Sequence, residues 1–250
     1  MAQETSLDKA LNVLEMIAQT GDTRLSTLAE ATGYPPATIH RILRVLVRRR
    51  YVRQDAATRK YMLSLKCLDI SSRVKDHLEI ITAARPVMQK LMEKTGETVN
   101  LVSFEDMEAV YIDQISNTKS LLRMFTRVGA RVPLHSSGVG KAFLAGRPPA
   151  EALDYFRSVK KVRHTQNSLV KEDEFLRDLE ETRTRGYAVD REEFEDGVGC
   201  IAVVITQKDG VAGAMSISGP SSRLFGATTG RLAADVVRSA AAVSQSLSGR

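Results

Sequence analysis

Eight basic side chains crowd the stretch from Tyr34 to Lys60: Arg41, Arg44, Arg48, Arg49, Arg50, Arg53, Arg59 and Lys60. One acid, Asp55, accompanies them, leaving a local excess of +7. Guanidinium forks and ammonium groups at this density suit one task above others, gripping a polyanion such as double-stranded DNA by its phosphates. Residue types that do covalent chemistry are also present, in His135, Ser136, Ser137, Asp190 and Cys200. No spacing among them assembles a nucleophile, a base and an orienting group. Neither a catalytic nor a metal site is expected, and a lone His135 at the head of a helix reads as a structural group.

The basic residues need a scaffold that turns them outward. Ile39, Ile42, Leu43 and Leu46 recur at i, i+3, i+4 and i+7, the pattern of a helix with one buried stripe. Ala37, Arg41, Arg44 and Arg48 then fall on the opposite side, with His40 at its flank. Gly33 can end the preceding helix, and Pro35 or Pro36 can occupy the first turn of the next. Leu7, Ala10, Leu11, Leu14, Ile17 and Ala18 predict a first helix ending before Gly21. Ser26 is placed to cap a short second one that buries Leu28 and Ala29. Tyr51–Arg53 and Lys60–Leu63 read as two short strands whose connecting tip carries Arg59 and Lys60. Three helices and such a wing form a winged helix-turn-helix, whose third helix enters the major groove while the wing follows the backbone.

Charge is distributed unevenly over the 250 residues: of a net +6, residues 1–78 carry +5 and the other 172 carry +1. A polyanion-binding module joined to a nearly neutral one is implied. No run of 18 apolar residues and no signal sequence is present, so a cytoplasmic protein without a membrane partner is expected. Cys67 and Cys200 lie 133 residues apart, which argues against a disulfide and for a reducing compartment. Leu65, Leu68 and Val74 seed a further helix. Ile81, Ala84, Met88 and Leu91 mark another stripe, fit either to pair two chains or to pack on the chain's own second domain, and Pro86 is expected to kink or start a helix there. After Glu97 short strands are expected at Val99–Phe104, Ala109–Ile115, Leu121–Thr126, Tyr187–Val189, Ile201–Thr206 and Val211–Ser218. Helices are expected at Gly138–Ala145, Pro149–Arg157, Lys171–Arg185 and Ser222–Leu247. The fold class is α+β with an antiparallel sheet. The domains read as 1–66, a helical linker and dimerisation segment at 67–95, and 96–250.

Four segments in order, GYPPATIHRIL, LHSSGVGKAFLA, GYAVDREEFEDGVGCIAV and MSISGPSSR, resemble the IclR family of bacterial transcription regulators over nearly the whole chain. The resemblance implies an N-terminal winged helix-turn-helix, joined by helices to a GAF-like domain that binds a small organic effector. It also implies homodimers or homotetramers acting as repressors or activators on a palindromic operator, with RNA polymerase a candidate partner, a catabolic operon a candidate target, and no cofactor. By similarity Thr38, His40, Arg41 and Arg44 belong to the recognition surface, which Arg48 extends, and Arg59 and Lys60 to the wing. Pro36-Ala37 and Arg50 depart from the family pattern, Arg50 standing where glycine is frequent. In the effector pocket the resemblance places the backbone amides of Gly138 and Val139, with Asp190, Cys200, Ser216 and Ser218 as polar groups and Val198 on the apolar wall. A helix-terminal pair of amides suits a carboxylate. The implied ligand is a small organic acid, from a glyoxylate-like compound to an aromatic carboxylate.

Overall fold

The first helix, α1 (Ser6–Thr20), begins at a reciprocal capping box: Asp8 N donates to Thr5 Oγ1 at 3.2 Å and Thr5 N to Asp8 Oδ2 at 2.8 Å. This is a computed structural model that describes residues 4–116 and 127–249, and the chain divides into two units at His77/Leu78. The apolar stripe of α1 is rotated from its expected phase. Val13 and Ile17 are buried, whereas Leu7 and Leu11 are 67% and 47% exposed. α2 (Leu25–Thr32) starts from Arg24 without a side-chain cap, so Ser26 lies inside the first turn instead of capping it. Gly33 then closes α2 in the left-handed conformation, at φ 71°.

α3 (Pro36–Arg48) has Pro36 at its first position and buries Ile39, Ile42, Leu43 and Leu46, as the spacing requires. β1 (Val52–Gln54) and β2 (Tyr61–Leu63) pair antiparallel with Val52 opposite Leu63. Thr23, between α1 and α2, bonds to Tyr61 in both directions and so anchors the hairpin. α4 (Lys66–Asp76) buries none of its residues.

In the second unit α5 (Glu79–Thr95) runs through Pro86 without a break; the helical interruption lies at Leu78 instead. Residues 67–95 are therefore helical as expected, but they divide between the two units. Ile81, Ala84, Met88 and Leu91 all belong to the apolar core of the second unit, and Met88 is fully buried. Of the two readings of this stripe, the structure shows packing on the unit's own sheet.

That sheet contains β3 (Thr98–Glu105), β4 (Glu108–Ile115), β5 (Arg131–Pro133), β6 (Ala188–Arg191), β7 (Val198–Gln207) and β8 (Gly210–Pro220), in the antiparallel order β5-β4-β3-β8-β7-β6. The strand expected at Leu121–Thr126 lies outside the described residues. Alternation sends Val99, Leu101, Ile201, Met215 and Ile217 to one face, against α5 and α10 (Thr229–Ser248). Val102, Tyr111, Cys200, Ala202 and Ala214 point to the other, against α6 (Gly138–Ala145), α7 (Pro149–Ser158) and α8 (Glu172–Arg185). The expected last helix is interrupted: α9 (Ser221–Leu224) precedes α10.

Candidate nucleic-acid interface and effector cavity

On α3 the burial of Ile39 and Leu43 fixes the opposite face outward. His40, Arg41, Arg44 and Arg48 are exposed, and Thr38 is half-buried. Arg49, Arg50, Arg53 and Arg59 are also exposed, with Lys60 half-buried beside them. Among the described residues the ion pair of the N-terminal unit joins Arg73 to Asp69, and none involves these eight cations. Their charge is therefore uncompensated within the unit. The wing tip is organised by Asp55, whose Oδ1 accepts from Ala57 N at 3.1 Å, Thr58 N at 2.7 Å and Thr58 Oγ1 at 2.9 Å. The bonds from Thr58 hold the Asp55 carboxyl below the usual range. Thr38 and Arg41 also edge a shallow groove against Leu7 and Ala10 of α1.

The second unit holds a cavity of about 170 Å³ between the sheet and the start of α6. Of the residues expected there, Gly138, Val139, Asp190, Val198, Cys200 and Ser218 line it. Ser216 does not. It is buried two residues further back along β8, and Asn100 Nδ2 reaches its hydroxyl at 3.4 Å and that of Ser218 at 3.1 Å. Asn100, Tyr111 and Phe194 escaped the sequence reading, and Ser137 entered it only as a possible nucleophile, not as a cavity residue. Phe194, in the cavity wall, is the lone aromatic within the acidic run Glu192–Asp196, the one available signal for it.

Two glycines open α6 for close approach. A Cβ on Gly138 would lie 3.0 Å from Cys200 Sγ, and one on Gly140 only 2.2 Å from the Leu134 Cα in the 3-10 turn Leu134–Ser136. Ser137 caps the helix, accepting from Gly140 N at 3.2 Å and donating to Pro133 O at 2.9 Å, while its own carbonyl takes Lys141 N. The amides of Gly138 and Val139 are the ones that helix geometry leaves over, and both residues face the cavity. Burial, reinforced by Asp190, pushes the Cys200 thiol up to about 12. It is a neutral donor and acceptor, not a nucleophile.

Beneath the cavity lies a charge cluster built around Lys141, which is fully buried. Its Nζ meets Glu193 Oε1 at 2.6 Å and Oε2 at 2.7 Å, and Asp178 Oδ2 at 3.1 Å. Burial works against the ammonium, but Glu193, Asp178 and Asp190 outweigh it and raise its proton affinity. Asp190 Oδ1 accepts from Glu193 N at 2.7 Å. Burial and the neighbouring Glu193 push the Asp190 carboxyl up to about 7, against the pull of Lys141. His135 is buried with no partner for Nδ1 among the described residues, and its ring meets Phe156 edge-on at 5.9 Å. It is structural by packing. No group of His, Cys, Asp and Glu among the described residues is arranged to hold a metal ion, and no helix there is long and apolar enough to cross a membrane.

Residues 6–56 match the IclR helix-turn-helix domain and residues 72–245 the bacterial transcriptional regulator IclR C-terminal domain. The acetate operon repressor of Salmonella typhimurium is 33% identical over 99% of this chain and 91% of its own length. The transcriptional repressor IclR of Escherichia coli K12 is similar to the same extent, 33% over 99% and 91%. The crystal structure of Thermotoga maritima IclR superposes with a TM-score of 0.80 at 31% identity, covering 96% of this chain and 98% of that one. An outward basic helix with its wing, a second domain built on an antiparallel sheet and these relatives agree: the chain belongs to the IclR family of bacterial transcriptional regulators and is a DNA-binding regulator, not an enzyme.

Proposed function

We propose that the protein controls transcription by binding a palindromic or pseudopalindromic operator as a dimer or pair of dimers, under the control of a small organic acid held in the cavity beside α6. The observation that carries the ligand half is the pair of spare amides at Gly138 and Val139 opening on a cavity of about 170 Å³. Helix-terminal amides favour an anion. A volume below the roughly 300 Å³ of drug-sized pockets favours a small one. The apolar wall of Val139, Phe194 and Val198 accommodates its carbon skeleton.

Two recognition helices about 34 Å apart, or a multiple of it, read a symmetric site. With the α5 stripe buried, α4 becomes the dimer element in this reading, since Leu65, Leu68 and Val74 are 80%, 66% and 59% exposed. Arg41, Arg44 and Arg48 contact phosphates or base edges, Thr38 and His40 flank them, and Arg59 and Lys60 follow the backbone from the wing. Target genes are expected to encode enzymes that consume the acid, in the cytoplasm where the chromosome lies. Genomic fragments selected by the purified protein, followed by anisotropy on the selected operator with a panel of small carboxylates, test both halves. Release or tightening by one acid supports the reading. Operator binding indifferent to every acid, or ligands confined to cations, contradicts it.

A further inference from the structure

Among the helices of the N-terminal unit α4 buries none of its residues, so no packed face fixes its direction. What holds it is its approach, Ser64 to Cys67. Ser64 N donates to Tyr51 O at 2.9 Å, and Ser64 Oγ donates to Arg50 O. Lys66 Nζ donates to Arg49 O at 3.0 Å and lies 4.3 Å from the centre of the Tyr51 ring. Cys67 Sγ reaches Tyr51 O at 3.7 Å, and Lys66 N closes the turn on Ser64 Oγ at 3.2 Å. Three successive carbonyls, of Arg49, Arg50 and Tyr51, are thus gripped from the start of α4.

These carbonyls belong to the exit from α3. A helix end leaves carbonyls without partners inside the helix, and here side chains from beyond the wing supply them. Arg50, in the middle of the three, has φ 63°, a conformation that a residue with a Cβ keeps only where its surroundings hold it. The hairpin itself pairs Val52 with Leu63 and Gln54 with Tyr61 through its own ladder and uses neither Ser64 Oγ nor Lys66 Nζ. The two side chains therefore join the recognition helix to α4 directly, bypassing the wing.

We propose that Ser64 and Lys66 are positioning residues that set the angle between α3 and α4, and through it the half-site spacing that the protein accepts on DNA. The proposal rests on α4 pairing two chains over a symmetric operator, as above. With its ammonium spent on Arg49 O and the Tyr51 ring, Lys66 acts through α3 and not on a phosphate. The 13 residues of α3 span about 20 Å. A swing of about 10° at the clasp then moves the first turn of α3 by about 3.4 Å, the rise of one base pair. Spacing is read as geometry between two recognition helices, so a loose clasp blurs it.

The test uses the full-length protein and duplexes carrying the operator selected from genomic fragments, with its half-sites at native spacing or with one base pair added or removed between them. A duplex with a single half-site is the control. The wild-type protein is expected to prefer the native spacing. Each clasp bond is worth roughly fivefold, so Ser64→Ala with Lys66→Met should reduce that preference about tenfold. Single half-site affinity and its salt slope should stay unchanged. Lys66→Arg, whose guanidinium can donate to the same carbonyl and stack on the same ring, should retain the preference. Ser64→Ala alone should lose part of it, and carries the test if Lys66→Met does not fold. An unchanged spacing preference in the folded double variant overturns the proposal. So does a fall in single half-site affinity with a salt slope lowered by about one, which would make Lys66 a phosphate contact. Wild-type binding indifferent to half-site spacing removes the symmetric-dimer reading, and the role of the clasp with it.

Discussion

Arg50 sits where the chain leaves α3, at φ 63°, with Arg50 N bonded to Val47 O and Tyr51 N to Leu46 O, both at 2.9 Å. This is the Schellman closure, whose left-handed position glycine fills without a Cβ penalty. Arg50→Gly is therefore expected to raise stability by about 1 kcal/mol in thermal melts. If Arg50 touches a phosphate, the same variant should lower the salt slope of operator binding by about one. An unchanged slope would make its side chain a bystander. Lys141 poses the opposite problem, a buried cation whose loss strands its acids. Lys141→Met should cost roughly 3–5 kcal/mol, and much less in a Glu193→Gln background; additive costs in urea titrations would refute the pairing. At His135 burial, with Lys161 and His164, draws the ring down to about 4 from 6.5. The folded state then resists protonation, so stability present above pH 6.5 is lost as pH falls toward 4. Asp190 runs the other way, its stability contribution falling as pH rises from 3.8 through about 7. The two partly cancel in the wild type, and His135→Gln minus wild type isolates the first: the variant should gain relative stability as pH drops, measured by denaturant melts from pH 7 to 4.

At the scale of elements, what the sequence disclosed depended on length and on partners. α3 and α6 were legible because the i, i+3, i+4, i+7 stripe of Ile39–Leu46 and the Gly-Val-Gly-Lys of Gly138–Lys141 each point to one arrangement. β5 was missed, since three residues, Arg131–Pro133, cannot establish a period of two. Thr23 was missed because its two bonds to Tyr61 are tertiary. Asn100 was missed because its role, holding two serines of β8, appears only once β3 and β8 are neighbours. In α1 the phase slipped, as several apolar side chains exceed what one face can bury and Leu7 and Leu11 are left outside. The stripe of α5 fitted two partners equally, and only the sheet behind it decides. The consequence separates α4 from α5 by experiment. Leu68→Glu with Val74→Glu should yield a folded monomer in sedimentation, with operator affinity reduced. Met88→Glu should instead unfold the second unit, since it places a charge among fully buried neighbours. A folded, monomeric Met88→Glu protein would return the dimer seam to α5.

For the whole molecule, the proposed division of labour follows from charge and burial: in that reading the unit with the uncompensated arginines meets the polyanion, and the unit with the cavity meets the small acid. Control requires the two binding events to share a free energy, and a ligand shifts operator affinity only by its preference between the operator-bound and free states. Linkage makes this strict. If saturating acid changes operator affinity by some factor, saturating operator must change acid affinity by the same factor, typically about 5- to 150-fold. Arg41→Glu with Arg44→Glu supplies the control. Reversing two exposed charges on α3 should abolish operator binding while leaving the cavity untouched, so the acid should bind this variant as it binds the free wild type. Calorimetry of the acid, with and without operator DNA, on both proteins checks the relation. Equal acid affinities with and without DNA, in a protein whose operator binding nonetheless responds to that acid, would place the controlling ligand somewhere other than the site measured.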